Sequence, residues 1–149
     1  MKAKDFSLVD QNGVVRTLND YKGQYVLLYF YPKDMTPGCT IEAVCFRDSL
    51  NDFKAVGIQV LGVSADTVAS HKKFADAHKL NFPLLSDVDR TVIRSYGAEG
   101  EKSMFGKKYM GILRDSFLID PKGVIAKHYE KVNPAKHAQE VLDDMRQQK

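Results

Sequence analysis

GQYVLLYFYPKDMTPGCTIEAVC, residues Gly23 to Cys45, divides into a strand, a junction and the start of a helix. Tyr25 to Tyr31 is a continuous apolar and aromatic run rich in β formers and stopped by Pro32. A run without polar alternation indicates a central strand covered on both faces. Thr36 and Pro37 then read as a helix cap and first helical residue, which puts Gly38 and Cys39 in the first turn of a helix running to about Phe53. At about 100° per residue, Cys39, Ala43, Phe46, Leu50 and Phe53 share one apolar stripe, so Cys39 is expected to face the sheet. Free amides and the positive end of the helix dipole at that position favour a thiolate.

Two readings of Cys39 stay open on the residues alone. It is either a small buried hydrophobe or a reacting thiol, placed where α/β proteins put reacting groups: a strand end, a loop and a capped helix start. Cys45, the second of two cysteines, lies about 120° around the helix from Cys39, with α-carbons about 10 Å apart. A disulfide needs about 4.4–6.8 Å, so any bond between the two requires local unwinding. The chain lacks the CxxC of a dithiol oxidoreductase. His71, His78, His128 and His137 offer no zinc-like spacing to either cysteine, so no metal is expected. His71 and His78 read as a solvated helix face.

Outward from this segment, Phe6 to Leu18 reads as a hairpin turning at Asp10 to Gly13 and decorating a sheet edge. Residues 57–66 form a second buried strand, followed by a helix from Thr67 to His78. NFPLLSD is a short extended piece, Val88 to Tyr96 a short helix closed by Gly97, and Glu99 to Tyr109 a mobile Gly- and Lys-rich loop. Ser116 to Ile119 and Gly123 to Tyr129 form an antiparallel pair around the DPKG turn. Asn133 and Pro134 open a last helix with Ala138, Val141, Leu142 and Met145 on its apolar face. The order implies one α/β domain over residues 1–149, a central mixed β-sheet flanked by helices with an N-terminal β-hairpin.

The 22 basic and 19 acidic residues are spread along the chain, without the basic stripe of a nucleic-acid binder. No stretch approaches the roughly 18–20 apolar residues of a membrane span. Two cysteines are no disulfide framework, and a soluble cytoplasmic protein is expected. Ile41 and Val44, apolar on the outer helix face, hint at a contact surface, in keeping with a monomer or weak homodimer.

FYPKDMTPGCTIEA resembles the active-site segment of peroxiredoxins, specifically the bacterioferritin comigratory protein or peroxiredoxin Q subfamily. FSLVDQNG, YVLLYFYPKD, FRD, VLGVSAD, FPLLSD and KKYMGILRDSFLID extend the resemblance in order over nearly the whole chain. It implies a thioredoxin-like fold and cofactor-free reduction of hydrogen peroxide or organic hydroperoxides, recycled by thioredoxin or a similar dithiol. It also implies that Cys39 is the peroxidatic nucleophile, that the Thr36 hydroxyl orients thiolate and peroxide, and that Arg114 supplies a cation. Pro32, Pro37 and Gly38 would form the pocket. Glu42, one turn beyond Cys39, is read as a first-turn acid able to hold an arginine and is left outside the catalytic set. Subfamily members with a resolving cysteine in this helix carry it five residues after the nucleophile, a place taken here by Val44. The resemblance therefore leaves Cys45 either a displaced resolving cysteine or a bystander in a one-cysteine enzyme. A thioredoxin-fold binding or chaperone-like module with little turnover is the alternative.

Overall fold

The computed structural model describes residues 1–147. Its main sheet has seven strands in the order β2-β1-β5-β4-β3-β8-β9. These are β1 (Ser7–Val9), β2 (Val15–Thr17), β3 (Tyr25–Phe30), β4 (Ile58–Ser64), β5 (Leu84–Ser86), β8 (Ser116–Ile119) and β9 (Ile125–Tyr129). β6 (Glu99–Met104) and β7 (Lys107–Ile112) form a separate two-stranded hairpin. The helices are α1 (Pro37–Asp48), α2 (Leu50–Ala55), α3 (Val68–His78), α4 (Thr91–Ser95) and α5 (His137–Gln147), with a 3-10 turn at Leu18–Tyr21.

Strand β3 is central, pairing parallel with β4 and antiparallel with β8. Its side chains alternate between two cores. Leu27, Tyr29 and Tyr31 join Cys39, Phe46, Phe53 and Phe74 and the α5 stripe Ala138, Val141, Leu142 and Met145. Val26, Leu28 and Phe30 join Tyr21, Ile93, Tyr96 and Phe117 on the other face. The unbroken apolar run thus reflects burial on both sides, and helices cover both faces, as the strand–helix alternation implies. The N-terminal hairpin sits at the sheet edge, and β8–β9 pair antiparallel.

Four expectations need correction. The first helix does not run unbroken to Phe53: Ser49, with ψ of 5°, interrupts it and starts α2. Residues 99–112 are not a loop but the β6–β7 hairpin, closed by a turn in which Phe105 (φ 53°) and Gly106 (φ 78°) both take left-handed backbone. His71 is not on a solvated face; it is fully buried, whereas His78 is half-exposed. The last helix starts at His137, after a turn whose amides Ala135 N and His137 N donate to Asn133.

Candidate active site

Buried polar ties hold the β3–α1 junction. Asp34 Oδ1 accepts from the Tyr31 hydroxyl (2.6 Å), and its Oδ2 accepts from Ser70 Oγ (2.8 Å) and faces His71 Nδ1 (2.8 Å). Asp34 N donates to Asp66 Oδ2 at 2.8 Å. His71 Nε2 lies 3.0 Å from the Leu85 carbonyl, and since a carbonyl only accepts, Nε2 carries the hydrogen. The junction is thereby tied to α3 and β5. Met35 takes a left-handed backbone (φ 66°), an uncommon conformation for a residue with a side chain, immediately before the cap.

Thr36 caps α1 through its backbone, in extended geometry with Thr40 N donating to its carbonyl at 2.9 Å. Its hydroxyl does not cap; it donates to the Lys33 carbonyl at 2.8 Å, so its remaining capacity is as an acceptor. Pro37 occupies the first helical position and Cys39 lies two residues later, 1% exposed. The stripe Cys39, Ala43, Phe46 is buried as the spacing predicts.

Arg114 reaches this turn from the β7–β8 connection. Its Nη2 lies 3.4 Å from Cys39 Sγ and its Nη1 donates to Glu42 Oε1 at 2.9 Å, so one guanidinium bridges two residues three apart on α1. Gly38 makes room for it, since a β-carbon there would stand 3.1 Å from Nη2. Neighbouring bonds fix the connection: Val132 N donates to the Arg114 carbonyl (3.0 Å) and Phe30 N to that of Asp115 (2.8 Å). The Asp115 side chain in turn holds His128 Nε2 and Lys131 N. Pro32 and Pro37 flank the junction, half-buried and exposed respectively.

Glu42, read from the sequence as a first-turn acid able to hold an arginine, is 1% exposed and paired with Arg114. Burial pushes its carboxyl up to about 7, a rise that Arg114 opposes without cancelling. Arg114 is held above its usual value, because the charges of Cys39 and Glu42 outweigh the effect of its own burial. Since Glu42 binds its proton more tightly folded than unfolded, its contribution to stability is present below about 4.5 and lost as pH rises to about 7. We expect wild-type stability to fall by roughly 3 kcal/mol over that window from this group. Glu42→Gln should flatten that slope in urea denaturation at a series of pH values; an unchanged slope would count against the assignment.

Cys45 is half-buried, its Sγ 3.8 Å from the Ala135 carbonyl, and burial together with Asp48 and Glu42 pushes its thiol up. Both cysteines are free and α1 is intact between them. As for metal donors, Asp34, Asp66 and His71, and separately Asp115, His128 and Glu130, have ligand atoms within 4.8 Å of one another. Asp34, Asp66, His71, Asp115 and His128 serve the hydrogen bonds described above, Glu130 is exposed, and neither set includes a cysteine.

Known proteins resemble this chain over nearly its whole length. The AhpC/TSA family profile matches residues 1–128. The chain belongs to the AhpC/TSA family. Peroxiredoxin Bcp of Escherichia coli K12 is 47% identical over 141 residues, covering 95% of this chain and 90% of that one. Peroxiredoxin Bcp of Bacillus subtilis is 44% identical over 145 residues, covering 97% and 92%. The solved bacterioferritin comigratory protein of Xanthomonas campestris superposes with a TM-score of 0.91 at 38% identity, over 96% of this chain and 91% of that one. Peroxiredoxin Q of Xylella fastidiosa does so with a TM-score of 0.92 at 34% identity, over 99% and 96%. The chain is thus a peroxiredoxin of the Bcp and Q type and a thiol-dependent peroxidase, with the thioredoxin-like fold of its relatives.

Proposed function

We propose that this peroxiredoxin reduces hydrogen peroxide and organic hydroperoxides through Cys39 and is recycled by thioredoxin or a similar dithiol. The observation that carries the assignment is the Arg114 guanidinium spanning Cys39 Sγ and Glu42 at the start of α1. The Cys39 thiolate attacks the terminal peroxide oxygen; an S–O bond forms, the O–O bond breaks, and the leaving alkoxide or hydroxide takes a proton from solvent. Cys39 is left as a sulfenic acid. Arg114 stabilises the thiolate beforehand and the charge that grows on the leaving oxygen, with the α1 amides assisting. Thr36 Oγ1 supplies the acceptor that orients the peroxide hydrogen, and Pro32, Pro37 and Gly38 shape the approach. The Xanthomonas campestris relative, whose structure was solved to study alkyl peroxide reduction, supports the organic substrates. Its place would be the cytoplasm, where a reducing pool keeps both thiols free, as a monomer or weak homodimer.

Cys45 is proposed as the resolving thiol. To reach the Cys39 sulfenic acid, α1 must unwind through Ala43, which is fully buried, so resolution is coupled to local unfolding. Dithiol-dependent peroxide consumption tests the activity, and absence of turnover with any dithiol would favour the binding-module reading. Peptide mapping after one equivalent of peroxide tests resolution: a Cys39–Cys45 disulfide is expected, and a persistent Cys39 sulfenic or sulfinic acid with Cys45 free would overturn it.

A further inference from the structure

The β6–β7 hairpin brings a second cation toward the site. Directly opposite residues of an antiparallel pair share a face. Here Lys102 stands opposite Tyr109, and Gly100 opposite Gly111. A β-carbon on Gly111 would meet Lys102 Cδ at 2.8 Å and Cε at 3.3 Å, and one on Gly100 would meet Leu113 Cδ2 at 3.0 Å. The Lys102 side chain therefore lies along the bare backbone of Gly111 and runs toward the base of the hairpin, where Leu113 and Arg114 emerge.

Lys102 is half-buried, whereas its strand neighbours Glu101 and Ser103 are exposed. Burial and the Arg114 guanidinium lower its ammonium, while Cys39 opposes them, so the three groups share one field. The nearby acids are engaged elsewhere. Glu101 pairs with Lys108, Glu99 with Arg90 and Arg94, and Glu42 with Arg114. Lys102 thus adds positive charge to the mouth of the site that no carboxylate among the described residues neutralises at ion-pair distance.

We propose that Lys102 is a specificity-determining residue that biases the Cys39 site toward hydroperoxides carrying a carboxylate over neutral ones. This rests on the peroxidase reading, with Arg114 acting on the reacting oxygens and Lys102 on the remote anionic group. The test compares wild type, Lys102→Met and Lys102→Arg. One readout is the ratio of Cys39 alkylation rates by anionic iodoacetate and neutral iodoacetamide, followed by peptide mapping. The other is the ratio of turnover on the para-carboxylate analogue of cumene hydroperoxide to that on cumene hydroperoxide itself. Lys102→Met should lower both ratios by roughly 3- to 10-fold at low ionic strength, with the difference shrinking in salt. Lys102→Arg should retain them. A structural disturbance would slow both members of each pair alike. Unchanged ratios in Lys102→Met, or loss of the bias in Lys102→Arg, would overturn the proposal. A lowered alkylation ratio in a protein without peroxide turnover would leave the charge effect standing but sink the peroxidase reading and the substrate preference with it.

Discussion

Replacing Arg114 by Met is expected to lower the second-order rate of Cys39 with hydrogen peroxide by roughly 100- to 1000-fold. Three losses combine. The thiol loses its partner at 3.4 Å, the growing negative charge on the leaving oxygen loses the guanidinium beside it, and Glu42 loses its one hydrogen-bond donor among the described residues. Met roughly preserves the apolar volume of the arginine stem, so the defect should be in chemistry more than in packing. Glu42, already raised to about 7, would escape its isolation by taking up a proton, which lets the fold survive. Arg114→Lys should recover only part of the rate, because a single ammonium cannot bridge Sγ and Oε1 as the planar fork does. Stopped-flow measurement of peroxide reduction is the check, and a loss of less than a few-fold in the Met variant would remove Arg114 from the mechanism.

Asp34→Ala is expected to be the most destabilising change at the site. It removes the acceptor shared by the Tyr31 hydroxyl and Ser70 Oγ and the carboxyl that faces His71 Nδ1, and Tyr31 and His71 are fully buried. Leaving several buried polar groups without partners should cost about 3–5 kcal/mol. For a domain of this size that lowers the melting midpoint by roughly 10 °C. Peroxidase activity should fall as well, because Asp34 ties the loop carrying Thr36 to α3 and to Asp66. A thermal melt within about 2 °C of wild type would show that the network contributes little.

Patterns set by burial were readable along the chain, and contacts between distant segments were not. The β3 run and the Cys39, Ala43, Phe46 stripe are legible because each residue reports its own side of a strand or helix. The β6–β7 hairpin escapes such a reading because both its strands are mainly exposed and carry no apolar alternation. Its pairing rests on Gly100 opposite Gly111 and on the left-handed turn at Phe105 and Gly106. His71 looked solvated because its partner Asp34 lies 37 positions away. Glu42 was legible as a first-turn acid able to hold an arginine, but its burial was not, because Arg114, the partner that offsets it, lies 72 positions on. Arg114 itself was legible only through the resemblance, since a lone arginine at a strand start has no local signal.

Cys39 is proposed as the sulfur that attacks peroxide. Intact-mass analysis of Cys39→Ser and wild-type protein, each treated with one equivalent of hydrogen peroxide and then assayed with a dithiol, tests it most directly. Wild type is expected to gain an oxygen at Cys39 or lose two hydrogens as a disulfide, while Cys39→Ser changes neither way and consumes no peroxide above the dithiol background. Wild-type turnover in Cys39→Ser would contradict it.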